Sequence, residues 1–414
     1  MELNDLIEKN IEKVDLESID AEMILQDTEE ISELERETEN AFSNVFGLNG
    51  MIEEYGTIIE NVDTESITEN QLTALRVGIV GGFQAANADS KRLVGIDVEN
   101  EIIVPSSSLM YDMEGLKEFA KKAWEKFKTL LIKANAFFRK LFLKFLNMVS
   151  FRKGTIEKLE EDLAATTVLN TKLDKLASKA SFINVVNGKT GKEANLGSYK
   201  NLLNAGINVN IAKDLNAAVK SLADRVKTIE AYVKDGGTLD AKLVAGKSFF
   251  NKVSSGVKNM STFPIPDVTK YETVLLGGLF GSKGSAIGIK KNGEAVKASI
   301  KVTSPCKTIT GVTTANLESL LKEAATVNDD FKSIVNDTFE VVDDVMGISE
   351  DMSDIVTKGA SLTDEKKKQF STDKKAVRNM ISLLPWMAFN SALSLYKEVG
   401  FVIALTKASI KETK

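Results

Sequence analysis

One stretch constrains the fold more than any other. Between 116 and 149 the apolar positions are Leu116, Phe119, Ala120, Ala123, Trp124, Phe127, Leu130, Leu131, Ala134, Phe137, Phe138, Leu141, Phe142, Phe145, Leu146 and Val149. Their spacing alternates between three and one, which keeps a single stripe on one side of a 3.6-residue helix for its whole length. The opposite side carries Lys117, Lys121, Lys122, Lys126, Lys128, Lys133, Arg139, Lys140 and Lys144. A stripe this continuous is more often a core-facing helix with a solvated face than a membrane or nucleic-acid element. The excess of lysine over acid on the outer face pulls the reading back toward polyanion contact.

Composition extends the helical reading to the rest of the chain. Of 414 residues 43% are hydrophobic, enough for at least one sizeable core, and only 5 are proline. There is no histidine. That removes Ser-His-Asp and Cys-His nucleophilic arrangements and histidine-ligated metal sites, while leaving carboxylate or lysine chemistry open. The single Cys306 allows no intramolecular disulfide and no thiolate cluster, and it reads as a small buried side chain. The acidic start, Met1-Glu2-Leu3-Asn4-Asp5, has no apolar segment of a secretory signal. No apolar run reaches the length of a membrane span; Val399 to Leu405 is the nearest and far too short. These features predict a chain made soluble in a reducing compartment, with no cofactor and no enzymatic activity.

The net charge of −6 hides a boundary. Residues 1–114 hold 27 acidic against 6 basic side chains, a balance of −21. Residues 115–414 hold 32 acidic against 47 basic, a balance of +15. Such asymmetry suggests an acidic segment and a polyanion-facing segment in one chain, the first masking the second until they separate. The basic part would attract a phosphate backbone without sequence discrimination, by counterion release. The competing reading is that acidic and basic helices balance each other for solubility.

Along the chain, residues 1 to about 40 place Ile7, Ile11, Val14, Ile19, Met23 and Ile24 at roughly helical spacing. They read as a helix or a marginally ordered segment, stabilised by a partner. Gly47, Gly50, Gly56, Gly81 and Gly82 then separate short helices, and Asp89 to Ser108 reads as a linker. After Gly154 interrupts the long stripe, Ile156, Leu159, Leu163, Leu173 and Leu176 fall near heptad positions. A helical pair over 198–233 is closed by Asp235-Gly236-Gly237.

Between Pro264 and Pro305 the runs Glu272–Phe280, Ala286–Lys290 and Ala298–Val302 are β-prone. Gly281-Ser282-Lys283-Gly284 and the hairpin signal Lys291-Asn292-Gly293 separate them. Helical periodicity resumes at Asn316, with an acidic helix around Asp329 to Asp354 and a last helix over about Asp373 to Lys411, Pro385 marking a kink. The expected fold is mainly α, an elongated helical bundle with a small antiparallel β insertion near 270–305. Its divisions are an acidic leader 1–114, a basic helical body 115–265, the β insertion 266–310 and a helical segment 311–414.

No motif in the chain carries chemistry. Gly281-Ser282-Lys283-Gly284-Ser285 lacks the spacing of a phosphate loop and reads as a turn. Asp329-Asp330 and Asp343-Asp344 have no calcium-loop spacing and read as a solvated face.

The order Gly81-Gly82, Ala85-Ala86, Pro105-Ser106, Met113-Glu114-Gly115-Leu116, Ala123-Trp124 and Leu141-Phe142 resembles the internal head (internal virion) proteins of large tailed bacteriophages. Leu275-Leu276-Gly277-Gly278 and Leu395-Tyr396 sit where family features are expected. The resemblance implies a protein packed inside the prohead, trimmed by the head-maturation protease after a glutamate, and delivered with the genome. The protease pattern (an apolar or small residue, any residue, then Glu) fits Ile31-Ser32-Glu33 and Ile67-Thr68-Glu69. Asp112-Met113-Glu114 lies at the charge boundary but departs from the pattern at Asp112.

Glu33, Glu69 and Glu114 are therefore the candidate cleavage positions. The candidate DNA-facing residues are Lys117, Lys121, Lys122, Lys126, Lys133, Arg139, Lys140 and Lys144. The implied partners are packaged DNA, the prohead scaffold or capsid interior, the maturation protease and a second copy of the chain. The implied location is the capsid interior, with the host cytoplasm before assembly and after ejection. A rival reading lays the aromatic stripe of 116–149 on a bilayer. Two others are an enzyme using carboxylate or lysine chemistry, and an ordinary cytosolic scaffold.

Overall fold

The structure is a computed structural model that describes residues 153–186, 191–199, 211–234, 271, 273–290, 295–301, 305–355 and 362–410, with scattered positions between 33 and 56 and between 118 and 145. Two long helices form its centre: α5, Thr314–Ile355, and α6, Asp364–Ile410. At 1.5 Å per residue the second has a contour of about 70 Å, longer than the roughly 55 Å across a compact domain of this chain length. That length makes the molecule elongated. The two helices run antiparallel, so that Phe331 on α5 meets Tyr396 on α6 with ring centroids 5.7 Å apart. The earlier helices are α1, Lys153–Ala165, the short α2, Asp174–Ala177, and α3, Ser181–Val186, followed by α4, Ile211–Lys234.

Each long helix takes its place from its apolar pattern. On α4 the positions Leu215, Val219, Leu222, Val226, Ile229 and Val233 recur at steps of four and three, and all are buried. That stripe packs against both α5 and α6. On α5 the buried row from Leu317 through Phe331, Val341 and Val345 to Met352 faces α6, α4 and α1. In α6 every residue from Met380 to Thr406 is buried, so this half is covered on all sides. The helix runs through Pro385, where the sequence marks a kink.

The three strands expected near 270–305 are present as one antiparallel sheet ordered β2-β3-β4: β2, Thr273–Phe280, β3, Lys283–Ile289, and β4, Ala295–Lys301. Gly281, with φ of +60°, turns β2 into β3. The Lys291-Asn292-Gly293 turn lies outside the described residues. The sheet lies on α6, and Gly278 sets how closely. A Cβ at that position would sit 2.4 Å from Ser394 Oγ and 2.7 Å from the Asn390 carbonyl oxygen. The sequence did not announce a second, parallel pair: β1, Glu193–Asn195, with β5, Thr308–Thr310.

That pair frames the site of Cys306, which is buried. Its backbone N–H donates to Ser181 Oγ at 2.8 Å, and Asn184 Nδ2 donates to its sulfur at 3.3 Å. Burial pushes the thiol's pKa up, as expected for an inert core cysteine.

Two expectations about the helices change. Gly154 is the second residue of α1, and the heptad read over 156–176 is broken at 166–173. There the Asn170 N–H donates to the Ser409 carbonyl at 2.8 Å, and its Nδ2 donates to the Ala408 carbonyl at 3.1 Å. The last carbonyls of α6 lack intrahelical donors, and Asn170 supplies them. Leu173 and Leu176 are still buried, but beyond the break. The last helix also starts at Asp364, nine residues before the sequence reading placed it.

Candidate nucleic-acid interface

The described positions between 118 and 145 are all helical. Trp124, Leu130, Leu131, Leu141 and Phe145 are buried, as the stripe requires. Phe145 is fully buried among Phe331 of α5 and Phe389 and Tyr396 of α6, with centroids 6.4, 5.5 and 6.2 Å away. Asn135 is also buried, and its Nδ2 donates to Glu350 of α5 at 3.0 Å. The described positions of the stripe thus pack into the core, while Ile132, which lies off the stripe, is exposed. Among the described residues no helix is long and apolar enough to cross a membrane.

The other side of this segment is basic, with 9 lysines and arginines against 2 acids between 115 and 150. Lys121, Lys122 and Lys140 are exposed, and Lys133 is half-buried. Steps of 11 and 7 from Lys122 to Lys133 to Lys140 return close to one azimuth on a 3.6-residue helix. Glu118 sits on the same side, 2.7 Å from the Lys122 ammonium, whose hydrogen bond and charge hold its carboxyl below the ordinary value. Lys128 lies over the Trp124 ring, 4.5 Å from its centroid. Lys117, Lys126, Arg139 and Lys144 lie outside the described residues.

The charge of the body is less uniform than the count over 115–414 suggests. The α5 helix carries 11 acidic and 2 basic residues, and Glu318, Asp329, Asp330, Glu340, Asp344 and Asp351 are exposed on it. Asp329-Asp330 is the solvated face read from the sequence, and Asp344 is exposed beside half-buried Asp343. Among the described residues no group of acids and cysteine has the geometry to hold a metal. The basic surface is thus the helix around Lys122, and the outer face of α5 is acidic.

Of the candidate cleavage positions, Glu33 is exposed and helical, paired with Arg36 at 3.3 Å. Glu69 and Glu114 lie outside the described residues.

Beyond Glu33 the leader enters the fold. Leu34, Thr38 and Ala41, at steps of four and three, are buried, as are Ile52 and Gly56. The Glu39 carboxylate receives the Lys297 ammonium of β4 at 3.0 Å and the indole N–H of Trp386 on α6. Lys297 also lies over the Trp386 ring, 4.9 Å from its centroid. Sequence reasoning did not single out Glu39, Lys297 or Trp386, because they come together only across 258 and 347 positions of chain. The helical period of Leu34, Thr38 and Ala41 was the one local trace.

With the fold and these surfaces described, comparison with known proteins identifies a family. The family profile of phiKZ-like phage internal head proteins matches residues 18–390, spanning leader, basic helix, sheet and most of α6. No curated protein and no solved structure matches the chain. The match covers about nine-tenths of the sequence, and the resemblance seen at Gly81 to Phe142 agrees with it. The chain belongs to the phiKZ-like phage internal head proteins, and its general role is that of a structural protein of the virion.

Proposed function

We propose that the chain is packaged in the prohead, trimmed by the maturation protease after Glu33, Glu69 or Glu114, and held against packaged DNA by its basic helix. The observation that carries this reading is the division of the 118–145 segment. Trp124, Leu130, Leu131, Leu141 and Phe145 are buried in the core while Lys121, Lys122 and Lys140 stay in solvent. Lysines held on a rigid helix keep their charges at fixed positions, which favours a polyanion over a small ligand. Binding is electrostatic and independent of sequence, and the leader's −21 opposes it until the leader leaves the body. The role is structural rather than enzymatic. It needs the capsid interior or scaffold as a partner during assembly and permits self-association there. Ejection with the genome follows from lying against it.

The test is duplex DNA binding measured against salt. The logarithm of affinity should fall linearly with the logarithm of salt concentration, steeply enough to report several phosphates. Replacing Lys121, Lys122 and Lys140 with glutamine should flatten the slope by about one unit per lost phosphate contact. Salt-insensitive binding, or a slope unchanged by the triple variant, would contradict the proposed interface.

A further inference from the structure

We propose that the surface formed by Lys297, Trp386 and Arg378 is a docking site for the leader helix around Glu39, and that it holds this segment non-covalently after the backbone beyond it is cut. The occupant is named by the structure: residues around 34–52 of this same chain.

Three observations carry the proposal. The contact is built as an interface is built, with an apolar face and a polar anchor. Leu34 and Ile52 are 0% and 1% exposed, with Ala41 buried between them. Glu39 is the anchor. Its two carboxylate oxygens are divided between an ammonium and an indole N–H, and the ammonium also rests on the indole face. Charge-assisted bonds of this kind are stronger than neutral ones, and the shared geometry makes the site selective for a carboxylate on a helix. Gly50 adds a second point of approach beside Arg378, where a Cβ would lie 3.7 Å from a guanidinium nitrogen.

The third observation is that Trp386 is only 4% exposed while its indole nitrogen is satisfied by the leader. Taking the leader away would break this bond and would uncover the apolar positions packed under Leu34 and Ile52. Both changes oppose departure. A cut after Glu33 leaves the docked helix on the body's own chain. A cut after Glu69 or Glu114 turns it into a separate peptide that loses only the effective concentration of its tether. The inference rests on the processing reading for its biological occasion, but the physical claim can be tested without it.

The experiment uses the full chain with a sequence-specific protease site inserted between Ser107 and Ser108. The chain is cut in vitro, then passed over a sizing column at micromolar concentration. The leader fragment should co-elute stoichiometrically with the body. In Glu39→Ala, and independently in Lys297→Met, its retention should weaken at least about tenfold. The far-UV spectrum of the uncut variants serves as the control for folding. Release of the fragment should also alter tryptophan fluorescence, since Trp386 loses its carboxylate partner. A wild-type fragment that separates at once from a folded body, whether that body stays monomeric or pairs with a second copy, would overturn the proposal. Because the cut is made by an added protease, failure here says nothing against virion processing, and a chain left uncut in virions would leave this result intact.

Discussion

At the scale of single residues, two positions store consequences that can be measured. Gly278 lets β2 approach α6 where any side chain would collide with Ser394 and the Asn390 carbonyl. Gly278→Ala should cost about 1–3 kcal/mol through overpacking, read as a lower urea midpoint at unchanged slope. Asp373 is buried on α6 near Arg225 of α4, and burial raises its pKa to about 7 despite the pull of the guanidinium. In the unfolded chain it ionises near its ordinary value of 3.8, so between about pH 4 and 7 the unfolded state releases a proton that the folded state keeps. Its contribution to stability is fully present below about pH 4 and is lost as pH rises through 7. Buried Glu398 is raised by burial as well and contributes with the same sign. Asp373→Asn should remove its share, flattening the fall in thermal midpoint from pH 4 to 7; an unchanged profile would place the proton elsewhere. Neither position was legible in the sequence. A glycine in a strand and an aspartate in a helix carry no mark of what lies across from them.

At the scale of elements, the stripe of 116–149 was legible at the positions described, because apolar residues at steps of three and four mark a helix face. The described residues bear it out: apolar positions buried and lysines outward. Phe145 ties this helix to α5 and α6, so Phe145→Ala should destabilise the fold by about 3–5 kcal/mol, seen in chemical unfolding. A change below about 1 kcal/mol would mean that the stripe does not carry the core. The three-strand sheet was legible too, from β-branched and glycine-bounded runs. The β1-β5 pair was not, since two three-residue strands separated by more than a hundred positions leave no periodic signal. The break at 166–173 was missed for a related reason: Leu173 and Leu176 keep heptad spacing by number, while Asn170 is diverted to cap a helix 238 residues away. Local period reads helices that pack by their own stripe and misses segments whose hydrogen bonds are made across the fold.

At the scale of the whole molecule, charge was the guide, and it was coarse. The sum over 115–414 is basic, yet α5 within it is strongly acidic, so the positive surface is a helix face rather than a body. Likewise the leader reads as separable by charge, while its described residues supply core side chains such as Leu34 and Ile52. Both readings hold together if cutting the backbone and removing the leader are different events. The measurement to make is intact mass and N-terminal analysis of the protein taken from purified virions. A mature chain beginning after Glu33, Glu69 or Glu114 is the predicted result, and it would fix which bond changes the sign of the protein. A full-length chain in the particle, or a particle without the protein, would contradict processing inside the head.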